Sequence, residues 1–398
     1  MIFTPQWLVD FMVRLARPHR ARCRVLEPAC ADAPFLHAFA EAFGRHHELL
    51  GVEIDADRLR LARHRLPEAT FLEEDFLLWE PQSCPERSEW EGFDIIIGNP
   101  PYGIIGDASH YPLHVLKERK SLYRRRTSTW HGKYNIYGAF IEKAVRLLAP
   151  DGRLVFVVPA SWLVLDDFRK LRRFLAESGR LKVFYLSKVF PRRQISVVVL
   201  VLERGGEGIE LIEATDTRWL ARDVYHGEMI RFESAEWLAL EREGIPLGEC
   251  FSIHFFAARS PEVKQHPAVS STPSEDLVPV LTGRNLHAGW IDYDTCYSGL
   301  WLPRERAVEL RAFYGFSHLV VAHTKGTRVV CAVDQRCYPW REEFHLVPKR
   351  EGLNLYHIME YLHSEPIQRG LRTLYRDFVP HLTATMLAGI PWPKSLVD

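Results

Sequence analysis

The chain has 398 residues, 47% hydrophobic and 26% charged, an ordinary globular composition long enough for two or three domains. Its 51 Lys and Arg cancel its 51 Asp and Glu, which excludes a protein that coats nucleic acid by wholesale basicity. The seven cysteines form no Cys-x-x-Cys pair and no run of about eighteen apolar residues occurs, so a disulfide framework, a zinc knuckle and a membrane span are excluded and a cytoplasmic location is expected.

From the N-terminus, short apolar runs alternate with helix-period segments, the pattern of an α/β fold with a mostly parallel sheet covered on both faces. Strands are predicted over Arg24–Glu27, Glu48–Ile54, Phe93–Gly98, Arg153–Val158, Lys182–Leu186 and Val197–Leu202. Helices are predicted over Phe35–Phe43, Ala56–Arg65, Ile136–Leu148 and Asp166–Ala176. The last two strands, joined through a stretch containing Pro191, read as an antiparallel edge pair. Three glycines in Gly205-Gly206-Glu207-Gly208 predict a linker, here placed over 206–244, between a first domain of residues 1–205 and a second of 245–398. Beyond it the periodicity weakens and prolines alternate with short β-rich pieces, which predicts a mixed α+β domain. His46-His47 is expected at the surface, and the dispersed histidines offer no metal site.

Charge is unevenly spread. Residues 101–200 hold 19 basic against 7 acidic side chains, an excess of twelve, between two acidic flanks. One face of a neutral protein can therefore still attract a polyanion.

At Phe93–Gly98 a buried strand runs into Asn99-Pro100-Pro101-Tyr102. Pro-Pro alone would read as a turn. The full tetrad holds a polar side chain and an aromatic rigidly at the carboxyl end of the sheet, where open α/β folds bind ligands, and it is a signature of S-adenosylmethionine-dependent methyltransferases acting on nitrogen. Acids end or follow the other strands: Glu27 the first, Glu53 the second, and Asp75-Phe76 a third apolar run. Singly each acid is as readily a solvated strand end or a helix cap. Together they suit a nucleoside cofactor: Glu53 for a ribose diol, Glu27 for an ammonium, Asp75 for the adenine amino group and Phe76 for its ring. The turn after Glu27 lacks Gly-x-Gly-x-x-Gly, which weighs against a dinucleotide.

The sequence resembles the γ-class DNA adenine-N6 methyltransferases. The likeness runs through Phe3-Thr4-Pro5, Glu27-Pro28-Ala29-Cys30, Gly51–Asp55, Asn99–Tyr102, Gly132–Phe140, Val157–Leu163 and Val189-Phe190-Pro191. It continues through Thr282–Leu286, His323–Arg328 and Tyr375–Leu382, covering nearly the whole chain. One departure is Ala31-Asp32-Ala33, where members of the family usually have a glycine.

The resemblance implies a catalytic methyltransferase domain followed by a target-recognition domain. It implies that Asn99, Pro100, Tyr102 and Phe190 are catalytic, and that Thr4, Glu27, Ala29, Glu53, Ile54, Asp75, Phe76, Asn99 and Pro101 bind S-adenosylmethionine. Double-stranded DNA is the implied substrate, TCGA the implied site, and a restriction system the implied setting. Nothing in the sequence demands a dimer, so a monomer is expected, with any cognate endonuclease not required for activity.

Lys117–Arg126 follows the tetrad within about one loop. In an arbitrary protein it would be a solvated helix face. Beside a pocket for a flipped base, Arg124, Arg125 and Arg126, with Arg193, suit phosphate contact. In the second domain Arg284, Lys325, Arg328 and Arg376 are the corresponding candidates, for phosphate or base edge. Two other functions stay open: an N-methyltransferase of protein glutamine or RNA, and a DNA-specificity module that has lost catalysis.

Overall fold

The computed structural model describes residues 4–81, 92–110, 113–190, 194–213, 219–222, 229–256 and 261–394. The chain divides into two compact units, Met1–Arg231 and Phe232–Asp398.

The first unit is built on one nine-stranded sheet. Its strands are β1 (Arg24–Pro28), β2 (Glu48–Glu53), β3 (Thr70–Glu73), β4 (Phe93–Gly98), β5 (Leu148–Pro159), β6 (Arg180–Ser187), β7 (Val197–Glu203), β8 (Ile209–Glu213) and β9 (Trp219–Arg222), in the order β3-β2-β1-β4-β5-β7-β6-β8-β9. The first five in that order are mutually parallel, because each connection passes through a helix or a long crossover. The order reverses between β1 and β4, so the crevice for a ligand opens at their carboxyl ends.

The predicted strands and helices are present with small shifts at their ends. β6 and β7 do pair antiparallel, but not at the edge: β7 lies between β5 and β6, and β8 pairs parallel with β6 beyond them. The expected linker at 206–244 is corrected by the same strands. Only the turn through Gly205 and Gly208, both at positive φ, joins β7 to β8, and the division between units falls after Arg231.

Ile95 and Ile97 of β4 face a core shared with Val25, Val155, Val157, Val199 and two helices, α1 (Gln6–Leu15) and α2 (Pro34–Phe43). Burying each such side chain is worth about 1.5–3 kcal/mol, which fixes the register that carries Asn99 to the strand tip. The helix α1 escapes the sequence reading, although Leu8, Val9, Met12 and Val13 make one buried stripe. His47 is buried rather than superficial, since its Nδ1 accepts from the Cys23 amide at 3.1 Å. Three more helices, α3 (Ala56–Arg65), α4 (Lys120–Arg126) and α5 (Ile136–Leu147), flank the site, and α6 (Arg169–Ser178) packs on β6.

The second unit is mixed. β11 (Phe251–Phe256), β16 (His318–Val321), β17 (Cys331–Asp334) and β18 (Glu343–Pro348) form an antiparallel sheet in the order β11-β18-β16-β17. Two-stranded ribbons surround it: β10 (Gly244–Pro246) with β19 (Pro391–Pro393), β12 (Leu277–Pro279) with β15 (Trp301–Pro303), and the hairpin β13 (Leu286–His287) with β14 (Trp290–Ile291). Helices at Leu355–His363 and Glu365–Tyr375 complete it.

Its core contains a histidine pair. His318 Nδ1 lies 3.0 Å from the Phe316 carbonyl and so carries the proton, leaving Nε2 to accept from His345 Nδ1 at 2.9 Å. Both side chains are fully buried, and burial pulls both pKa values below the usual imidazole range. The unfolded chain therefore binds more protons than the folded one in mildly acid solution, so the contribution of these neutral rings is present above about pH 6.5 and is lost as pH falls below it. NMR titration should show the C2–H resonances of His318 and His345, assigned with His318→Gln and His345→Gln, unshifted at pH 6.5. Midpoints at the ordinary value would contradict the buried neutral pair.

Candidate active site

The tips of β1, β2, β3 and β4 gather most of the residues expected at the site. Asn99 directly follows β4, and its Nδ2 donates to Thr4 Oγ1 at 3.0 Å. That bond turns Oδ1 the other way. Among the described residues Asn99 Oδ1 is buried without a hydrogen-bond partner, an arrangement costing about 1–3 kcal/mol unless a ligand supplies the donor. Thr4 thus orients Asn99 from 95 residues away.

Tyr102 is fixed at both ends. Its hydroxyl donates to the Val157 carbonyl of β5 at 2.9 Å, and the turn behind it is closed by Gly103 N donating to Asn135 Oδ1 at 2.7 Å. Burial pushes the Tyr102 phenol well above its usual pKa, so it stays neutral. Phe190 meets its ring edge to face, with centroids 6.4 Å apart, and Tyr137 does so at 6.1 Å. A base entering between Tyr102 and Phe190 would have to part them. Pro100 is buried and Pro101 half-buried beside them. Asn135 and Tyr137 belong to the Gly132–Phe140 stretch, and their positions near the tetrad were not apparent from sequence.

Glu53, at the end of β2, accepts from Ala31 N at 2.9 Å, Ile54 N at 2.8 Å and Asp55 N at 3.1 Å. A carboxylate has about four lone-pair sites, so one is left for a ligand hydroxyl. Ile54 beside it stands 48% exposed, an apolar surface at the strand tip. Between β1 and α2 the backbone takes positive φ at Ala29, Ala31 and Ala33, and the amides of Cys30, Ala31 and Ala33 donate to the Val52 carbonyl, to Glu53 and to the Cys30 carbonyl. Each such alanine costs about 1–3 kcal/mol, a strain characteristic of functional loops.

Two acids have partners that the sequence did not disclose. Glu27 is buried beneath that loop and accepts from Leu36 N at 2.9 Å and Phe35 N at 3.4 Å, so it caps α2, whose own N-cap, Ala33, has no side-chain acceptor. Burial raises its pKa well above the carboxylate range. The two amides take two of the about four lone-pair sites of Glu27, so the carboxyl that the sequence offers to an ammonium also holds the start of α2. Asp75 Oδ2 accepts from Tyr123 OH at 2.6 Å and Arg119 Nη1 at 2.9 Å, while Oδ1 takes Leu77 N at 3.1 Å. Phe76 is buried against Phe140 at 5.1 Å.

The basic stretch forms α4. Arg124 and Arg125 are exposed and make no ion pair among the described residues, whereas Arg126 is bound to Glu80 at 2.9 Å and to the Leu78 carbonyl at 2.8 Å. Arg193 lies outside the described residues. In the second unit Arg284, Lys325 and Arg328 are exposed, and Arg376 lies over the Phe232 ring at 4.8 Å. Among the described residues one triad, His19, Asp94 and Asp151, has metal-ligand spacing. Arg20 already neutralises both acids at 3.3 and 2.7 Å, and Asp94 is the second residue of β4, at the end opposite Asn99. No helix among the described residues is long and apolar enough to cross a membrane.

Residues 47–190 match the family model described as Eco57I restriction-modification methylase, and residues 278–392 that of the TaqI-like C-terminal specificity domain. The chain is 56% identical over 397 residues to the type II methyltransferase M.TthHB8I of Thermus thermophilus, covering 98% of this chain and 89% of that protein. It is 27% identical over 136 residues to the type II restriction enzyme and methyltransferase RM.Eco57I of Escherichia coli, covering 33% of this chain and 13% of that one. A solved nuclease-deletion mutant of the type ISP restriction-modification enzyme LlaGI, in complex with a DNA substrate mimic, shares the fold with a TM-score of 0.56 at 13% identity, over 94% of this chain and 52% of that one.

Proposed function

The chain belongs to the type II methyltransferases of restriction-modification systems, and on that premise we propose that it methylates N6 of an adenine flipped out of duplex DNA, within TCGA. Asn99 Oδ1 carries this reading: a buried acceptor with no partner among the described residues, oriented by Thr4 at the switch point of the sheet. The methyl donor is S-adenosylmethionine, which supplies an electrophilic methyl group when bound. The strand tips fit it: Glu53 has one lone-pair site left for a ribose hydroxyl, and Ile54 offers an apolar face.

An adenine amino group is a poor nucleophile because its lone pair is delocalised into the ring. Asn99 Oδ1 and the Pro100 carbonyl accept its two N–H bonds, which favours a pyramidal nitrogen and localises the lone pair. Tyr102, held by Val157, stacks on the base, and its ring quadrupole favours the positive charge that develops there. No base is needed before transfer, because the nitrogen becomes acidic only once methylated and then releases its proton. Flipping costs a few kcal/mol, of which stacking at about 1–3 kcal/mol returns part. Arg124 and Arg125 bind phosphate, and the second unit reads the sequence. The enzyme acts as a monomer on one strand at a time and needs no endonuclease.

Plasmid DNA incubated with protein and S-adenosylmethionine should resist a nuclease that cuts unmodified TCGA, and its digested nucleosides should contain N6-methyladenine. Full cleavage would refute the site, and N4-methylcytosine the base.

A further inference from the structure

Two stretches of the second unit that are far apart in sequence meet at one buried acid, and a third packs on one of them. The Thr282–Asn285 turn is built on Asn285, fully buried, which accepts from Thr282 N at 2.9 Å and donates to the carbonyls of Asp292 at 2.8 Å and Thr295 at 2.7 Å. The turn leaves Arg284 outside, over the Tyr297 ring. Leu281 N donates to the Pro339 carbonyl and Arg341 N to the Leu281 carbonyl, which lays this segment beside the entry to β18.

The second stretch, His323–Arg328, is the loop joining β16 to β17, closed by Ala322 N donating to the Val330 carbonyl. The third, His381-Leu382, touches that loop: Leu382 N donates to the Gly326 carbonyl at 3.2 Å, and the His381 and His323 rings lie 4.5 Å apart.

Glu343 is the first residue of β18 and is 1% exposed. Its carboxylate accepts the His323 amide and attracts Lys325. On the other side it is seated against Gly283, where an added Cβ would stand 2.1 Å from Oε1, so a side chain there would displace the carboxylate. Its backbone has φ +99, a strained conformation for a residue with a side chain, of a kind that clusters at functional sites. One carboxylate therefore touches both loops that carry the exposed cations Arg284, Lys325 and Arg328.

We propose that Glu343 is a positioning residue for sequence recognition: by holding the Gly283 turn and the His323 loop in fixed relation, it sets where Arg284, Lys325 and Arg328 meet the duplex. This rests on the reading of the second unit as the part that reads DNA.

The test uses the full chain and measures kcat/KM on a duplex with the site that wild type methylates in plasmid DNA, and on duplexes changed at one base pair. A single mismatch ordinarily costs 1–3 kcal/mol, so Glu343→Gln is expected to reduce discrimination by about ten- to hundredfold. The affinity for S-adenosylmethionine should stay within about twofold and the melting temperature within about 3 °C, which separates positioning from unfolding. Gly283→Ala should lower discrimination through the same contact, and the double variant should lose less than the product of the two, since the sites are coupled. Gly283→Ala also carries the test if Glu343→Gln does not fold. Unchanged discrimination, fully multiplicative losses, or losses that track melting temperature would overturn the proposal. If wild type left plasmid DNA unmethylated, the proposed activity would fall instead, and affinities for TCGA and changed duplexes, read by fluorescence anisotropy on the same variants, would decide Glu343 alone.

Discussion

Asn99→Ala is expected to lower kcat for methyl transfer by at least about 10²-fold, the range found when one preorganised hydrogen-bond partner of a reacting group is removed. The affinity for S-adenosylmethionine should change less than kcat, because Glu53 and Ile54 are untouched. The effect is large because the side chain is committed in advance: Nδ2 is bound to Thr4, and Oδ1 is held in a buried position with no partner among the described residues. No other described residue replaces it at the tip of β4. Thr4→Ala should give a smaller loss, about tenfold, because it frees the rotation of Asn99 without removing the acceptor. Single-turnover transfer of labelled methyl with calorimetric cofactor titration would separate the two effects. A kcat for Asn99→Ala within threefold of wild type would sink the mechanism.

The double variant Arg124→Ala/Arg125→Ala should weaken binding to any duplex and reduce the slope of log K against log salt by about two, since each phosphate contact contributes about 0.9. Both guanidinium groups are exposed on α4 with no ion pair among the described residues, so they are available to phosphate without breaking an internal contact. Arg126 differs, being already bound to Glu80 and the Leu78 carbonyl, and Arg126→Ala should shift the slope less. Because the contact is with backbone and not bases, the ratio of cognate to altered sites should stay constant, and kcat at saturating DNA should be preserved. Anisotropy titrations over a range of salt concentrations would measure this, and an unaltered slope would remove α4 from the interface.

Six strands of the first unit, β1, β2 and β4 to β7, were legible because their signal is local, whereas the short β3, β8 and β9 were not read as strands. Phe93–Gly98 is an unbroken apolar run bounded by Asn99 and the prolines, and its ends agree between sequence and structure. The second half was harder, since its strands are two to six residues long and, apart from the β13–β14 hairpin, pairs such as β11 with β18 join distant segments, so no single window shows a period. The zero net charge concealed a partition that sequence counting did reveal, with the excess of positive charge beginning at the tetrad. The expected edge position of β6 and β7 failed for a definite reason: β8 follows a short glycine turn and adds beyond β6, so those glycines join two strands rather than two domains.

What the sequence determined by itself was the chemistry on offer: a polar and aromatic tetrad after a buried strand, acids at successive strand ends, and a basic segment close behind. Those are properties of contiguous residues, and residue type with spacing expresses them. What each polar group is bound to was decided only by the tertiary structure. Glu27 is taken by α2, Asp75 by a tyrosine 48 residues away, and Asn99 by Thr4 across 95 residues, while Oδ1 of that asparagine is left open. A hydrogen bond depends on distance and direction in space, and those are fixed by how the sheet and helices pack, not by the neighbours along the chain.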